Sequence, residues 1–289
     1  MLGSGAPERV RAYLALTKPR IVELLLVTTV PAMVVAAGGW PGTWLVVATL
    51  LGGTLSAAGA NAINNFLDRD IDEHMARTAR RPLPTGRILP RHALAFGAVL
   101  GTAGFLWLWA TVNLLAAGLA ASALLFYVFV YTLLLKRSTS RNIVVGGAAG
   151  AVPVLVGWAA VTGGLDPAAW VMFAIVFYWT PPHFWALALR HREDYRKAGV
   201  PMLPVVKGSA FTSRQILIYS LVLVAVTLLM YPVAGLGLLY LVAAAALGAY
   251  FIWEAWRVYR DPRRSMALFR YSTAYLALLF LSMGVDRII

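Results

Sequence analysis

Asn61-Ala-Ile-Asn-Asn-Phe-Leu-Asp-Arg-Asp-Ile-Asp-Glu73 closes an apolar run that begins near residue 43. A run of that length reads as a helix long enough to cross the hydrocarbon core of a bilayer. Within its last turns, Asn64, Asp68 and Asp72 recur at i, i+4 and i+8, which places them on one helix face. Carboxylates at a membrane edge are expensive to hold there and mark function. Two carboxylates and an amide oxygen on one face suit a hard cation such as Mg²⁺, which retains waters and accepts phosphate oxygens. Arg77, Arg80 and Arg81 follow within nine residues of Asp72. Oxygen ligands beside guanidinium groups point to a diphosphate site. Asp70 falls off the triplet's face and reads as a solvent or salt-bridge residue.

Outward from this stretch, the chain continues as it begins. It is 60% hydrophobic and 13% charged, with a mean hydropathy of +0.74, more apolar surface than a water-soluble domain can bury. Nine apolar runs approach or exceed membrane-spanning length: 20–38, 43–66, 92–111, 113–135, 142–162, 167–189, 212–231, 236–256 and 267–285. They are continuous rather than alternating, which favours helices over a barrel. The expected fold is an all-α polytopic membrane protein, one transmembrane domain over 1–289.

The net charge of +13 would fit a nucleic-acid partner if it formed a patch, but its distribution excludes that reading. With nine spans, 24 of the 25 Lys and Arg residues fall on the side of the N-terminus, and only Arg287 lies opposite. This is the positive-inside bias, so the N-terminus is expected in the cytoplasm and the C-terminus outside. No cysteine is present, which removes thiolate and disulfide chemistry. The first span lacks a signal-peptide cleavage site, and about 19 residues precede it, few for a transit sequence. A multi-pass protein of a prokaryotic plasma membrane is expected.

Outer connections are short and inner ones long. The two inner loops after spans 2 and 6 share a plan of acids, then basic residues, then a Pro-rich string: Arg81-Pro-Leu-Pro-Thr-Gly86 and Pro201-Met-Leu-Pro-Val-Val-Lys-Gly208. Long loops in a compact protein tend to carry function. Small residues at Gly52-Gly53, Ser56–Ala60 and Gly146–Gly150 predict close helix packing. Glu23, inside the first span, is an intramembrane acid that needs a partner or lines a cavity.

Asn64-x-x-x-Asp68-x-x-x-Asp72 resembles the first aspartate-rich motif of the intramembrane UbiA-type prenyltransferase superfamily. The fuller string Asp68-Arg-Asp-Ile-Asp-x-x-Met75-x-Arg-Thr78-x-x-Arg81-Pro-Leu83-x-x-Gly86 is similar to one branch, the protoheme IX farnesyltransferases. Leu16-Thr-Lys-Pro-Arg20, Tyr131-Thr-x-x-Leu135-Lys-Arg137 with Asn142-Ile143, Pro181-Pro-His-Phe184, and Asp194-Tyr195-x-x-Ala198-Gly-x-Pro-Met-Leu-Pro204 match the same branch in order.

The resemblance implies nine transmembrane helices around a central cavity. It also implies farnesyl transfer from farnesyl diphosphate to a vinyl group of heme b, giving heme O for heme-copper oxidase assembly. Heme A synthase or oxidase assembly proteins are the protein partners it suggests. On this basis Asn64, Asp68 and Asp72 are expected to bind Mg²⁺. Asp68, Asp72, Arg77, Arg81 and His183 are the expected catalytic residues. Lys18, Arg20, Lys136, Arg137 and Asp194 are assigned to the diphosphate, with topology or lipid contact as the alternative for the four cations. His183, His191 and Tyr195 are assigned to heme. His183, after two prolines that break backbone hydrogen bonds and can open a cavity, either bonds a neighbouring helix, contacts heme or handles a proton. One departure stands out: aligned on Gly199, His191 and Tyr195 occupy the places where other branches carry a second aspartate pair.

Overall fold

The computed structural model describes residues 6–289, with the side chains of residues 6, 20, 21 and 23–26 outside the description. The assignments to Arg20 and Glu23 therefore fall outside the described residues. The elements are α1 (Ala6–Thr17), α2 (Pro19–Ala37), α3 (Thr43–Leu67), α4 (Arg69–Glu73), α5 (Pro90–Thr111), α6 (Leu114–Ser138), α7 (Asn142–Thr162), α8 (Pro167–Arg190), α9 (Arg192–Lys197), α10 (Leu203–Val206), α11 (Gly208–Ala234), α12 (Leu238–Arg260) and α13 (Ser265–Ile288). Among the described residues there is no strand.

Eight of these helices, α3, α5 to α8 and α11 to α13, are long and apolar enough to cross a membrane. The ninth expected span, 20–38, falls on α2, whose described apolar part is Val27–Ala37. Each long helix packs on the next, and α13 returns to α2, which closes a ring. Further contacts of α2 with α7 and of α13 with α8 join its two sides. α3, α7 and α8 are largely buried, whereas α5 and α6 turn most of their surface outward. Trp109, Leu125 and Phe129 are among those outward residues, as lipid-facing helices require.

Outer connections are tight. α2 ends on Gly38 at φ 68, a left-handed cap that glycine adopts without strain. Asn113 caps α6, its side-chain oxygen accepting from the Ala116 amide at 2.8 Å. On the inner side the two long loops fold over the helix ends. Ile71 and Met75 of the first share one apolar core with Tyr195, Val200 and Met202 of the second.

α3 and α5 approach most closely at small residues. A Cβ on Gly59 would lie 2.6 Å from the Gly101 amide nitrogen and 2.7 Å from the Gly97 carbonyl oxygen. Backbone, unlike a side-chain tip, cannot give way. Gly59→Ala is expected to destabilise the protein by about 1–3 kcal/mol through overpacking. Gly53, with open space around its Cβ position, is the control, and Gly53→Ala should leave stability within about 0.5 kcal/mol. Denaturant unfolding of both variants in one detergent checks the pair.

Candidate active site

The inner end of α3 carries three buried amides and runs into two buried carboxylates. Asn61, Asn64 and Asn65 are each at most 5% exposed, and Asp68 and Asp72 at most 2%. Such groups must be satisfied internally. Asn61 donates its side-chain amide to the Thr17 carbonyl at 3.0 Å, and Asn65 to that of Leu16 at 3.0 Å. These are the last carbonyls of α1, which its own helix leaves unpaired. The two amides thus tie the end of α1 to α3 and fix where Lys18 emerges.

Lys18 is the one non-glycine residue with positive φ among the described residues, at φ 51 and ψ 63. A lysine held there stores backbone strain that the surroundings must hold in place, a pattern that clusters at functional sites. The strained turn aims its Nζ inward, 2.6 Å from Asn64 Oδ1. Burial, with Arg81 and Lys136 close by, pushes the Lys18 ammonium down to about 7.

The expected single helix face does not form: α3 ends at Leu67, Asp68 caps it and Asp72 lies on the short α4, yet both carboxylates stay close to Lys18. Asn64 Nδ2 donates to Asp68 Oδ2 at 2.8 Å and to Thr132 Oγ1 at 3.0 Å. Lys136 Nζ also donates to Asp68 Oδ2. Asp68 Oδ1 is buried and has no hydrogen-bond partner. Arg81 Nη1 reaches both oxygens of Asp72, at 2.9 and 2.7 Å. Three cations, Lys18, Lys136 and Arg81, therefore meet two carboxylates. The excess positive charge in a desolvated setting fits an anion.

The donor set also bears on a hard cation. Most polar atoms of the cluster are engaged by protein donors, but Asp68 Oδ1 is orphaned. Asn64 Oδ1 meets only the Lys18 ammonium. Carboxylate and amide oxygens are the ligands Mg²⁺ prefers, and the two atoms fit it. No group of three or more His, Asp or Glu side chains placed for a metal occurs among the described residues. A second metal site at His191 and Tyr195 finds no support there.

The remaining expected residues divide. Arg77 Nη2 comes within 3.4 Å of the Tyr195 hydroxyl, so the two inner loops meet at these side chains. Burial raises the Tyr195 phenol, which keeps it protonated. Asp194 pairs with His191 across 3.5 Å rather than with the buried cluster. Arg137, expected at the diphosphate, grips Asp70 with two nitrogens at 2.7 and 2.8 Å and also the Leu67 carbonyl. It holds the Asp70 carboxyl down at about 2 and lies on the exposed rim. A cleft beside it is lined by residues of both loops, including His74, Lys197 and Gly199.

His183 sits apart from these contacts. Its ring stacks between Trp179 and Phe269, with centroids 4.3 and 4.5 Å away. Its Nδ1 lies 2.7 Å from Ser272 Oγ, on α13. Ser272 Oγ also lies 2.7 Å from the Phe269 carbonyl, to which it can donate. His183 Nε2 has no protein hydrogen-bond partner among the described residues. The ring thus bonds a neighbouring helix, one of the alternatives open from the sequence. Ser272 carries no signal in the sequence, being a lone serine in an apolar run, and Thr132 stands out only as part of the Tyr131–Arg137 string.

Comparison with known proteins places this geometry. The model of the UbiA prenyltransferase family matches residues 25–283. The chain is 52% identical over 290 residues to a protoheme IX farnesyltransferase of Clavibacter sepedonicus, covering 99% of this chain and 95% of that one. It is 58% identical over 279 residues to one of Gloeobacter violaceus, covering 96% and 92%. Among solved structures, a digeranylgeranylglyceryl phosphate synthase superposes with a TM-score of 0.80 at 19% identity, covering 97% of this chain and 99% of that one. A UbiA homolog from Archaeoglobus fulgidus, bound to DMAPP and Mg²⁺, superposes with a TM-score of 0.71 at 18% identity, covering 94% and 99%. At those identities the structural likeness speaks for the fold alone.

Proposed function

We propose, from the premise that the chain belongs to the UbiA prenyltransferase family and within it to the protoheme IX farnesyltransferases, that it transfers the farnesyl group of farnesyl diphosphate to a vinyl group of heme b. Water adds in the same reaction, and the products are heme O and diphosphate. Heme O then serves heme-copper oxidase assembly, with heme A synthase or oxidase assembly proteins as the partners that would receive it. The protein is a multi-pass membrane protein. We assign it to the plasma membrane, N-terminus in the cytoplasm and C-terminus outside, from its cation distribution.

The observation that carries the donor half is the buried cluster with its surplus of cations and its orphaned Asp68 oxygen. Mg²⁺, held by Asn64, Asp68 and Asp72, would neutralise charge on the leaving diphosphate. Lys18, Lys136 and Arg81 supply further positive charge fixed in place before the reaction, and such preorganisation is worth most where water is excluded. Arg77 extends the cationic face towards the second loop. As the allylic C–O bond breaks, the electron pair leaves with the diphosphate. The vinyl carbon bonds to the farnesyl carbon, water adds at the neighbouring vinyl carbon, and one proton is released.

His183 is our candidate on the acceptor side, because Ser272 engages its Nδ1 and leaves Nε2 without a protein partner among the described residues. It would ligate the heme iron or take that released proton. His191 and Tyr195, on the second loop, complete the proposed acceptor side. His183→Ala is expected to weaken heme binding about tenfold while farnesyl diphosphate affinity stays unchanged. Heme titration by absorbance, beside diphosphate affinity by calorimetry, checks this; a loss confined to the diphosphate would move His183 to the other pocket.

The experiment that tests the acceptor is a competition. Protein in nanodiscs receives labelled farnesyl diphosphate, Mg²⁺, heme b and a phenolic quinone precursor together. Label in the porphyrin fraction supports the proposal; label in the phenol overturns it.

A further inference from the structure

The helix α6 changes its winding halfway. From Phe126 to Leu135 it is a π-helix, with bonds to the carbonyl five residues back. Such segments are rare and favour functional sites, because they shift the register of every side chain that follows. Here the shift is visible in Thr132. A threonine in an α-helix turns its hydroxyl to the carbonyl three or four residues back. Thr132 donates instead to the carbonyl of Tyr127, five back, at 2.8 Å.

That bond has a consequence for Asn64. Thr132 is fully buried, and its one hydroxyl proton is spent on Tyr127. Its oxygen can then only accept, so Asn64 must present Nδ2 to it, as the 3.0 Å contact requires. The second Nδ2 proton goes to Asp68 Oδ2. Asn64 Oδ1 is thereby turned to the opposite side, where Lys18 Nζ donates to it. Were the amide reversed, Thr132 would have to release Tyr127 and Asn64 would face the lysine with an N–H. Lys136, one turn beyond Thr132 in the same helix, reaches Asp68.

We infer that Thr132 is a positioning residue, fixed by the π-helix, that locks the Asn64 amide so that its oxygen faces the cation and diphosphate pocket. The inference rests on the reading of Asn64 and Asp68 as Mg²⁺ ligands. Without the hydroxyl, the amide keeps only its contacts to Asp68 and Lys18, both charged groups that a bound cation and diphosphate would draw away, and nothing neutral then fixes which end faces the cation.

The test uses Mn²⁺ as the probe, with inorganic diphosphate present, and reads binding by electron paramagnetic resonance on the full chain in detergent. Thr132→Val is expected to weaken Mn²⁺ binding about tenfold or more, and Thr132→Ser to restore it to within about threefold. Adding Asn64→Asp to Thr132→Val should also recover binding, because a carboxylate presents oxygen in either orientation; a merely structural threonine would give no such rescue. Thr132→Ala carries the same expectation if the valine variant does not fold. Wild-type Mn²⁺ affinity in Thr132→Val or Thr132→Ala overturns the inference and leaves the metal site standing. No Mn²⁺ binding to the unaltered chain overturns the metal site itself, and the inference with it.

Discussion

Asp68→Asn is expected to lower the single-turnover rate about 10²–10³-fold while the protein stays folded, the size of effect seen when one preorganised electrostatic group is lost. The substitution keeps the shape of the side chain. An amide oxygen can still accept from Lys136 and Asn64, as Asp68 Oδ2 does. What disappears is the negative charge and, at the orphaned Oδ1 position, one strong oxygen ligand. A residue that merely solvated a helix end would tolerate this change. Here the carboxylate also offsets Lys136, so its loss raises the cluster's surplus of positive charge. Diphosphate affinity should therefore hold or tighten while turnover collapses, a split that distinguishes loss of metal from loss of substrate. Rapid-quench kinetics with matched melting curves would measure it, and a rate within threefold of the parent would remove Asp68 from the metal site.

Arg81→Lys should cost about 2–4 kcal/mol in the barrier, on the scale of a lost transition-state donor. In the structure a single nitrogen, Nη1, spans both oxygens of Asp72. Nε and Nη2 have no partner among the described residues, which leaves the other edge of the guanidinium for phosphate oxygens. A lysine ammonium is a point charge; it can keep Asp72 neutralised but cannot serve both sides at once. The expected result is normal folding with kcat/KM down by about two orders of magnitude, matching that barrier change. Arg81→Ala would go further. It would leave Asp72, 2% exposed, without its counter-ion, and breaking a buried pair in this way costs on the order of 3 kcal/mol of stability. Parent-like kinetics in Arg81→Lys would reduce Arg81 to a structural counter-ion of Asp72.

Much of this was legible in the chain because the features that matter are local. The spacing of Asn64, Asp68 and Asp72 marked them as one buried group, although α3 ends at Leu67 and Asp72 comes from α4. The close approach at Gly52 and Gly59 follows from side chains too small to hold two backbones apart. What was not legible depends on register and on distant partners. The run Phe126–Leu135 is uniformly apolar, so nothing in it announces a π-helix or which way Thr132 turns. The Ser272 contact that holds the His183 ring joins residues 89 apart. Sequence assigned Arg137 to the diphosphate, and only the fold shows it paired with Asp70, 67 residues away. Lys18 gave no sign of its left-handed backbone, which the Asn61 and Asn65 amides secure from another helix.

The most direct test of the whole account is the product itself. Purified protein is supplied with heme b, farnesyl diphosphate and Mg²⁺ in oxygen-18-labelled water, and the porphyrin fraction is read by mass spectrometry. The account predicts a porphyrin heavier by one farnesyl group and one water, with the heavy oxygen in its new hydroxyl, and diphosphate released in equal amount. Unmodified heme b beside consumed farnesyl diphosphate, or a farnesylated porphyrin without the labelled oxygen, would contradict it.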